Sequence, residues 1–222
     1  MSKRQFLVVG LGKFGTAMAK TIYSLGNDVL VIDKSEEKVQ DIADEVTHAV
    51  VMDATDEATL KTLGVRNFDV AIVTIGGDIQ GSIMATLLLK ELGIKYIVAK
   101  GNGDMHAKVL TKIGADKVVL PERDMAVRVA HNLVSSNILD YIELSSEYSI
   151  LEVGAIKEWY NKSLKEIDIR KKYGINVVAI KRGNNVNVSP NADDLIEKND
   201  IIVALGSSTE LNKVEWALSK LD

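Results

Sequence analysis

From Arg4 to about Leu120, short runs of β-branched and other apolar residues alternate with longer segments whose apolar positions recur at helical spacing. That alternation is the pattern of βαβ units. The runs Gln5 to Val9, Val29 to Asp33, His48 to Met52, Val70 to Ile75, Ile94 to Lys100 and Lys117 to Leu120 are mostly apolar on both parities. Strands covered on both faces read this way, so the pattern predicts a six-strand parallel sheet. The helical segments between them are Gly15 to Leu25, Glu36 to Glu45, Glu57 to Leu63, Gln80 to Leu92 and Met105 to Ile113. Gly26, Gly64, Gly93 and Gly114 follow four of them, where a left-handed cap is wanted.

Beyond Pro121 a helical pattern is expected to run to about Tyr141, with Met125, Val129, Leu133 and Val134 on one face. The period then changes. Ser149 to Ala155, Ile175 to Lys181, Val186 to Val188 and Asp200 to Gly206 read as strands, with Gly183-Asn184-Asn185 as a hairpin turn and Thr209 to Leu221 as a closing helix. The expected organisation is an α/β domain over 1–121, a long helix and linker over 122–144, and a small α+β domain over 145–222.

A length of 222 residues is about one and a half domains at roughly 150 residues each, in keeping with one large and one small domain. At 46% hydrophobic and 26% charged the chain is too apolar to be disordered. The formal charge of −4, with no basic block, lacks the footprint of a nucleic-acid binder. With no cysteine there is no disulfide, thiolate zinc site or cysteine nucleophile. No run approaches the roughly 20 apolar residues of a membrane span, so a cytosolic chain is expected.

Directly after the first strand stands Gly10-Leu-Gly12-Lys-Phe-Gly15, a G-x-G-x-x-G opening a helix, and Asp33 ends the second strand 18 residues beyond Gly15. Between a strand and a helix this is the fingerprint of a doubly wound, Rossmann-like nucleotide site. Gly10 allows the tight turn, Gly12 the approach of backbone to phosphate, and Gly15 the packing of helix on strand. Unpaired N–H groups and the helix dipole attract the anion. Asp33 suits a free ribose 2′-hydroxyl, hence NAD or an adenosine nucleotide over NADP. Lys13, beside Phe14, adds a cation to the loop, and Lys34 follows the acid. At the end of the third strand, Asp53, Ala54 and Thr55 are placed to meet an adenine edge, and Thr55 or Asp56 to cap the next helix. Ile75 and Gly76 close the fourth strand, where backbone can lie against a ribose.

Catalytic chemistry is hard to find. His48, His106 and His131 have no spacing suited to a shared metal, and no G-x-S-x-G elbow, Walker loop or histidine-pair zinc motif appears. A nucleotide sheet with a tail too small to be the usual catalytic domain points to a sensor. Glu122, near the start of the long helix, is either a dipole-favoured acid or a carboxylate offered to a divalent cation. The competing class is an NAD-dependent oxidoreductase or a redox-sensing Rossmann protein.

The segments GLGKFG, VID, HAVVMDATDE, RNFDVAIVTIG, KELGIKYIVAK, KVLTKIGADKVVLPERDMAVRVA and KYGINVVAIKRG, in that order, resemble the RCK (regulator of K+ conductance) family over essentially the whole chain. Within it they are most similar to cytosolic gating subunits of Ktr/Trk-type bacterial potassium transporters. The resemblance implies ATP or ADP as ligand more than NAD, ATP favouring the conducting form and ADP the closed one. It also implies a homodimer assembling into an octameric ring beneath a membrane potassium channel or transporter subunit, at the inner face of the membrane. By matched position Gly10, Gly12, Gly15 and Asp33 would hold phosphate and ribose, and Asp53 and Thr55 the adenosine end, with Lys100 by the same pocket. Lys13 stands where the family often has Arg, keeping charge but not bidentate geometry. Glu122 matches a carboxylate at an intersubunit divalent cation such as Mg2+ or Ca2+, and Asp124 to Tyr141 the crossover helix of the dimer. The resemblance further implies that paired C-terminal domains bind cyclic di-AMP through Ile167, Ile169, Arg170, Ile175, Asn176 and Pro190.

Overall fold

The computed structural model describes residues 3–134, 138–145, 147–207, 209–211 and 213–214. The chain divides into two compact units, Met1–Pro121 and Glu122–Asp222.

In the first unit strands and helices alternate throughout. The strands are β1 (Gln5–Val9), β2 (Asp28–Asp33), β3 (His48–Val51), β4 (Val70–Val73), β5 (Tyr96–Lys100) and β6 (Lys117–Val119). The helices are α1 (Lys13–Ser24), α2 (Glu36–Ile42), α3 (Glu57–Thr62), α4 (Ile79–Glu91) and α5 (Asp104–Lys112). All five strand pairings are parallel, in the order β3-β2-β1-β4-β5-β6. The expected Rossmann-like sheet is borne out, and the strand order reverses between β1 and β4, where such sheets open a crevice for ligands.

Two-sided covering explains the unbroken apolar strands. Leu7, Val9, Leu30, Ile32, Ala71, Val73, Ile97 and Ala99 point to one face, packed with Leu60 of α3, Leu88 and Leu89 of α4 and Leu110 of α5. Their sequence neighbours Val8, Val29, Val31 and Ile72 meet Ala19 and Ile22 of α1 and Val39 and Ile42 of α2 on the other. Each valine, leucine or isoleucine among them contributes about 1.5–3 kcal/mol on full burial, so both faces hold the sheet. Ser35, Asp56 and Asp78 cap α2, α3 and α4 with their side chains. The cap of α3 is thus Asp56, whose carboxylate accepts from the Ala58 N–H at 3.0 Å, and not Thr55.

In the second unit α6 (Pro121–Val134) ends earlier than the sequence pattern predicts, and Ile138–Glu143 is a strand, β7. The expectation of helix to Tyr141 fails because Ile138–Glu143 pairs antiparallel with β8 (Tyr148–Gly154), the Tyr141 hydroxyl lying 2.7 Å from that of Ser149. Arg128 of α6 and Asp140 of β7 form a bidentate ion pair that fixes helix to strand. There follow β9 (Lys162–Ser163), the short helices α7 (Leu164–Ile167) and α8 (Ile169–Tyr173), β10 (Asn176–Arg182), β11 (Asn185–Asn187), β12 (Leu195–Ile196) and β13 (Ile201–Ser207). The main sheet is antiparallel in the order β11-β10-β13-β8-β7, with β12 and β9 as a separate pair. Ser149, Leu151 and Val153 alternate inward from β8, over a core that includes Trp159, Tyr173 and Ile202. Helix resumes at 209–211 and 213–214; the rest of the expected closing helix lies outside the described residues. Along α6, Met125, Val127, Val129 and Leu133 are exposed, Leu133 by 80%.

Candidate functional site

The glycine loop sits at the carboxyl end of β1. Gly10 adopts φ +94°, in the region that glycine alone enters freely, and its N–H donates to the carbonyl of Ile32 at 2.8 Å. A Cβ on Gly15 would overlap the Gly10 carbonyl and the Thr74 hydroxyl, so α1 lies against the strands as closely as it does only with glycine there. Gly12 is different: a Cβ on it would meet nothing within 4 Å. It is the N-cap of α1, and no side chain caps that terminus. The loop therefore offers an open, positively polarised helix end to an anion.

Asp33 is wired to that loop. One carboxylate oxygen accepts the Leu11 N–H at 2.6 Å and the other the Ser35 N–H at 2.8 Å. Lys38 approaches Asp33 at 3.9 Å. The side chain is only 13% exposed, yet a carboxylate has about four lone-pair positions, so acceptor capacity for hydroxyls remains. Next to it, Asp53 accepts from the Thr55 hydroxyl at 2.7 Å and the Thr55 N–H at 2.9 Å, and pairs with Lys34 at 3.1 Å. The Thr55 hydroxyl holds the Asp53 carboxyl below its usual range; slight burial opposes this, and Lys34 reinforces it. Ala54 between them is buried.

At the carboxyl end of β4 the Thr74 hydroxyl lies 2.6 Å from the Gly10 carbonyl, tying β4 to the loop. Ile75 contacts Gly10, and the Lys100 ammonium stands 3.6 Å from where a Cβ of Gly76 would be. The Asn102 amide donates to the Gly76 carbonyl, and the Asn102 N–H to His106 Nδ1 at 3.2 Å. His106 is 7% exposed, and burial pushes its pKa down. Lys13 is exposed and Phe14 half-buried.

The fold thus gathers Gly10, Gly12, Gly15, Asp33, Ile75, Gly76 and Lys100 around the carboxyl ends of β1, β2, β4 and β5, with Asp53 joined through Lys34. Sequence reasoning missed Thr74, Lys38 and Asn102, and it gave His106 no place here. Hydrogen bonds between residues many positions apart leave no periodic signal; only the positions just after β4 and β5 could have drawn attention to Thr74 and Asn102.

Glu122 is exposed in the first turn of α6. Among the described residues no three His, Asp or Glu gather as a metal site. Of the C-terminal candidates, Ile169 and Ile175, 3% and 1% exposed, pack inside their own domain's core. Ile167 and Pro190 are half-buried, and Arg170 and Asn176 are exposed. No helix among the described residues is long and apolar enough to cross a membrane.

Comparison with known proteins accounts for both units. Residues 6–121 match the TrkA-N domain and residues 149–218 the TrkA-C domain. The Ktr system potassium uptake protein C of Bacillus subtilis is 51% identical over 213 residues, 96% of either chain. The Ktr system potassium uptake protein A of Vibrio alginolyticus is 35% identical, over 96% of this chain and 97% of that one. Among solved structures, the GsuK RCK domain superposes with a TM-score of 0.69 at 18% identity, covering 100% of this chain and 49% of that one. The GsuK channel bound to NAD does so with a TM-score of 0.69 at 16% identity, covering 97% and 39%. The chain belongs to the RCK family, with a TrkA-N and a TrkA-C domain, and within it to the Ktr system potassium uptake proteins.

Proposed function

We propose that this chain is a cytosolic nucleotide-sensing subunit, not an enzyme, that gates a membrane potassium channel or transporter, with ATP favouring the conducting form and ADP the closed one. One observation carries the reading: an α1 N-terminus with no side-chain cap and open space at Gly12, beside an Asp33 anchored to the same loop. These residues fit an adenosine nucleotide. The α1 N–H groups would hold phosphate, Asp33 the ribose hydroxyls, and Asp53 with Thr55 the adenosine end.

A gate needs two states and a ligand that binds them unequally, since equal binding shifts no population. ATP and ADP differ by one charged phosphoryl group, and Lys13, exposed on the loop, is a cation able to meet it from the same copy or a neighbour. The bare apolar strip Met125, Val129 and Leu133 of α6, at four-residue spacing on one face, supports pairing with a second copy, and dimers assembling into an octameric ring. A divalent cation such as Mg2+ or Ca2+ would take one carboxylate from Glu122 and its remaining oxygens from a bound nucleotide, water or a neighbouring copy, since the described residues of one chain do not gather a set of three. Cyclic di-AMP is the proposed ligand of paired C-terminal domains, with Arg170 toward phosphate and Ile167, Asn176 and Pro190 at the surface, above the buried Ile169 and Ile175.

The test is ligand choice. Thermal stabilisation by ATP and ADP without hydrolysis, and retention of an adenine nucleotide on co-purification with the membrane partner, are expected. Stabilisation by NADH together with oxidation of a small substrate would replace this reading with an NAD-dependent oxidoreductase.

A further inference from the structure

The loop after β5 does more than border the nucleotide crevice. Gly101 is buried, its N–H donating to the Val119 carbonyl at 2.9 Å, and a Cβ there would stand 2.9 Å from a Leu120 methyl. The chain is thus pressed onto the end of β6 just before Asn102. Gly103 then caps α5 without a side-chain acceptor. His106, in the first turn of α5, reaches back to the chain before the helix: its Nδ1 accepts the Asn102 N–H, one residue before the cap. This is the back-reaching half of a capping box, displaced by one position and built with an imidazole. Accepting at Nδ1 requires the neutral ring with its proton on Nε2, and burial favours the same neutral form.

With its backbone held, Asn102 reaches across and donates its side-chain amide to the Gly76 carbonyl. Gly76 belongs to the β4–α4 loop, on the ribose side of the crevice, and Lys100 approaches the same glycine. The Asn102 amide thus makes a side-chain hydrogen bond that joins these two loops.

We infer that Asn102 and His106 form a latch that sets the position of the Gly76 backbone, and so act as positioning residues for the nucleotide. His106 orders Asn102, and Asn102 orders the carbonyl and, with it, the following peptide that a ribose would lie against. The inference rests on the nucleotide reading of the site, and the experiment separates the two.

ADP affinity of the full chain is measured by calorimetric titration for the native protein, Asn102→Ala, His106→Leu and His106→Asn, each alongside its ligand-free melting temperature. Asparagine places an oxygen where Nδ1 stands, so it keeps the acceptor that leucine lacks. One lost hydrogen bond corresponds to roughly a three- to tenfold weakening. That loss is expected for Asn102→Ala and His106→Leu, with His106→Asn restoring most of it. Because Asn102 is exposed, its variant should weaken ADP binding without lowering the ligand-free melting temperature, which a purely structural role would not produce. Should His106→Leu fail to fold, Asn102→Ala and His106→Asn decide the matter. Native-like ADP affinity in Asn102→Ala would overturn the latch while leaving the nucleotide reading intact. A native protein that binds neither ADP, ATP nor NAD would overturn both.

Discussion

The carboxylate of Asp33, at the end of β2, accepts the backbone N–H of Leu11 in the glycine loop at 2.6 Å. The acid that would meet a ribose is therefore also the clamp on the loop that would meet phosphate, and its second oxygen holds Ser35. An asparagine at this position can accept only one of these two N–H groups and must turn its own N–H2 toward the other. A misplaced buried donor costs about 1–3 kcal/mol. Asp33→Asn should weaken ADP binding by roughly tenfold or more on calorimetric titration, with a lower melting temperature in the absence of ligand.

The two inner glycines should respond in opposite ways to the same methyl group. In Gly15→Ala the new carbon runs into the Gly10 carbonyl and the Thr74 hydroxyl. A stability loss of roughly 3 kcal/mol is expected in denaturant unfolding, at the upper end of overpacking effects. Gly12→Ala meets open space and a backbone at φ −77° that alanine adopts readily. Its stability should stay within about 0.5 kcal/mol of native, while affinity for ADP should fall, because the methyl would stand where the proposed phosphate lies.

In the C-terminal unit Asp200 is fully buried and paired with Arg182 through two hydrogen bonds of 2.8 Å. Burial alone would raise the Asp200 pKa; the Arg182 hydrogen bonds, the Glu197 N–H and the charge of Arg182 together outweigh it and hold the carboxyl below its ordinary 3.8. An acid depressed in the folded state contributes stability that is present above pH 3.8 and lost as pH falls below it through the folded value. The melting temperature of this unit should fall steeply in that acid range, and Asp200→Asn should lack that component of the slope. Arg182→Met strands the buried charge. About 2 kcal/mol is expected at pH 7, below the range for fully buried pairs because Arg182 is half exposed to screening water.

Glu122 offers a direct test of the proposed cation. Glu122→Gln keeps the shape of the side chain and removes its charge, so divalent-dependent activation of potassium transport should weaken while ADP affinity is spared. Unchanged cation dependence in reconstituted transport would remove Glu122 from that role.

Much of the first unit was legible in the sequence because parallel strands covered on both faces must be apolar on both parities, and helices between them must show the 3.6-residue period. The glycine loop was equally visible. Gly10 needs a positive φ and Gly15 a bare Cα, constraints local enough to appear as residue types. The strand Ile138–Glu143 was not legible. Ile138, Tyr141 and Ile142 continue a pattern that a helix could use as well as a strand, and so short a segment, with Asp140 and Glu143 among its six residues, fits either period. Pairing with β8, and an arginine of α6 waiting for Asp140, decide for the strand.

By itself, then, the amino-acid order determined the doubly wound sheet and the glycine loop, since both arise from backbone sterics and from burial on each strand. Only the tertiary structure decided that Thr74 ties β4 to Gly10, that Asp33 clamps Leu11, and that Asn102 reaches Gly76. Those bonds join residues 22 to 64 positions apart. They exist because the parallel crossovers bring the ends of β1, β2, β4 and β5 to one edge, a coincidence in space that no local pattern of residues encodes.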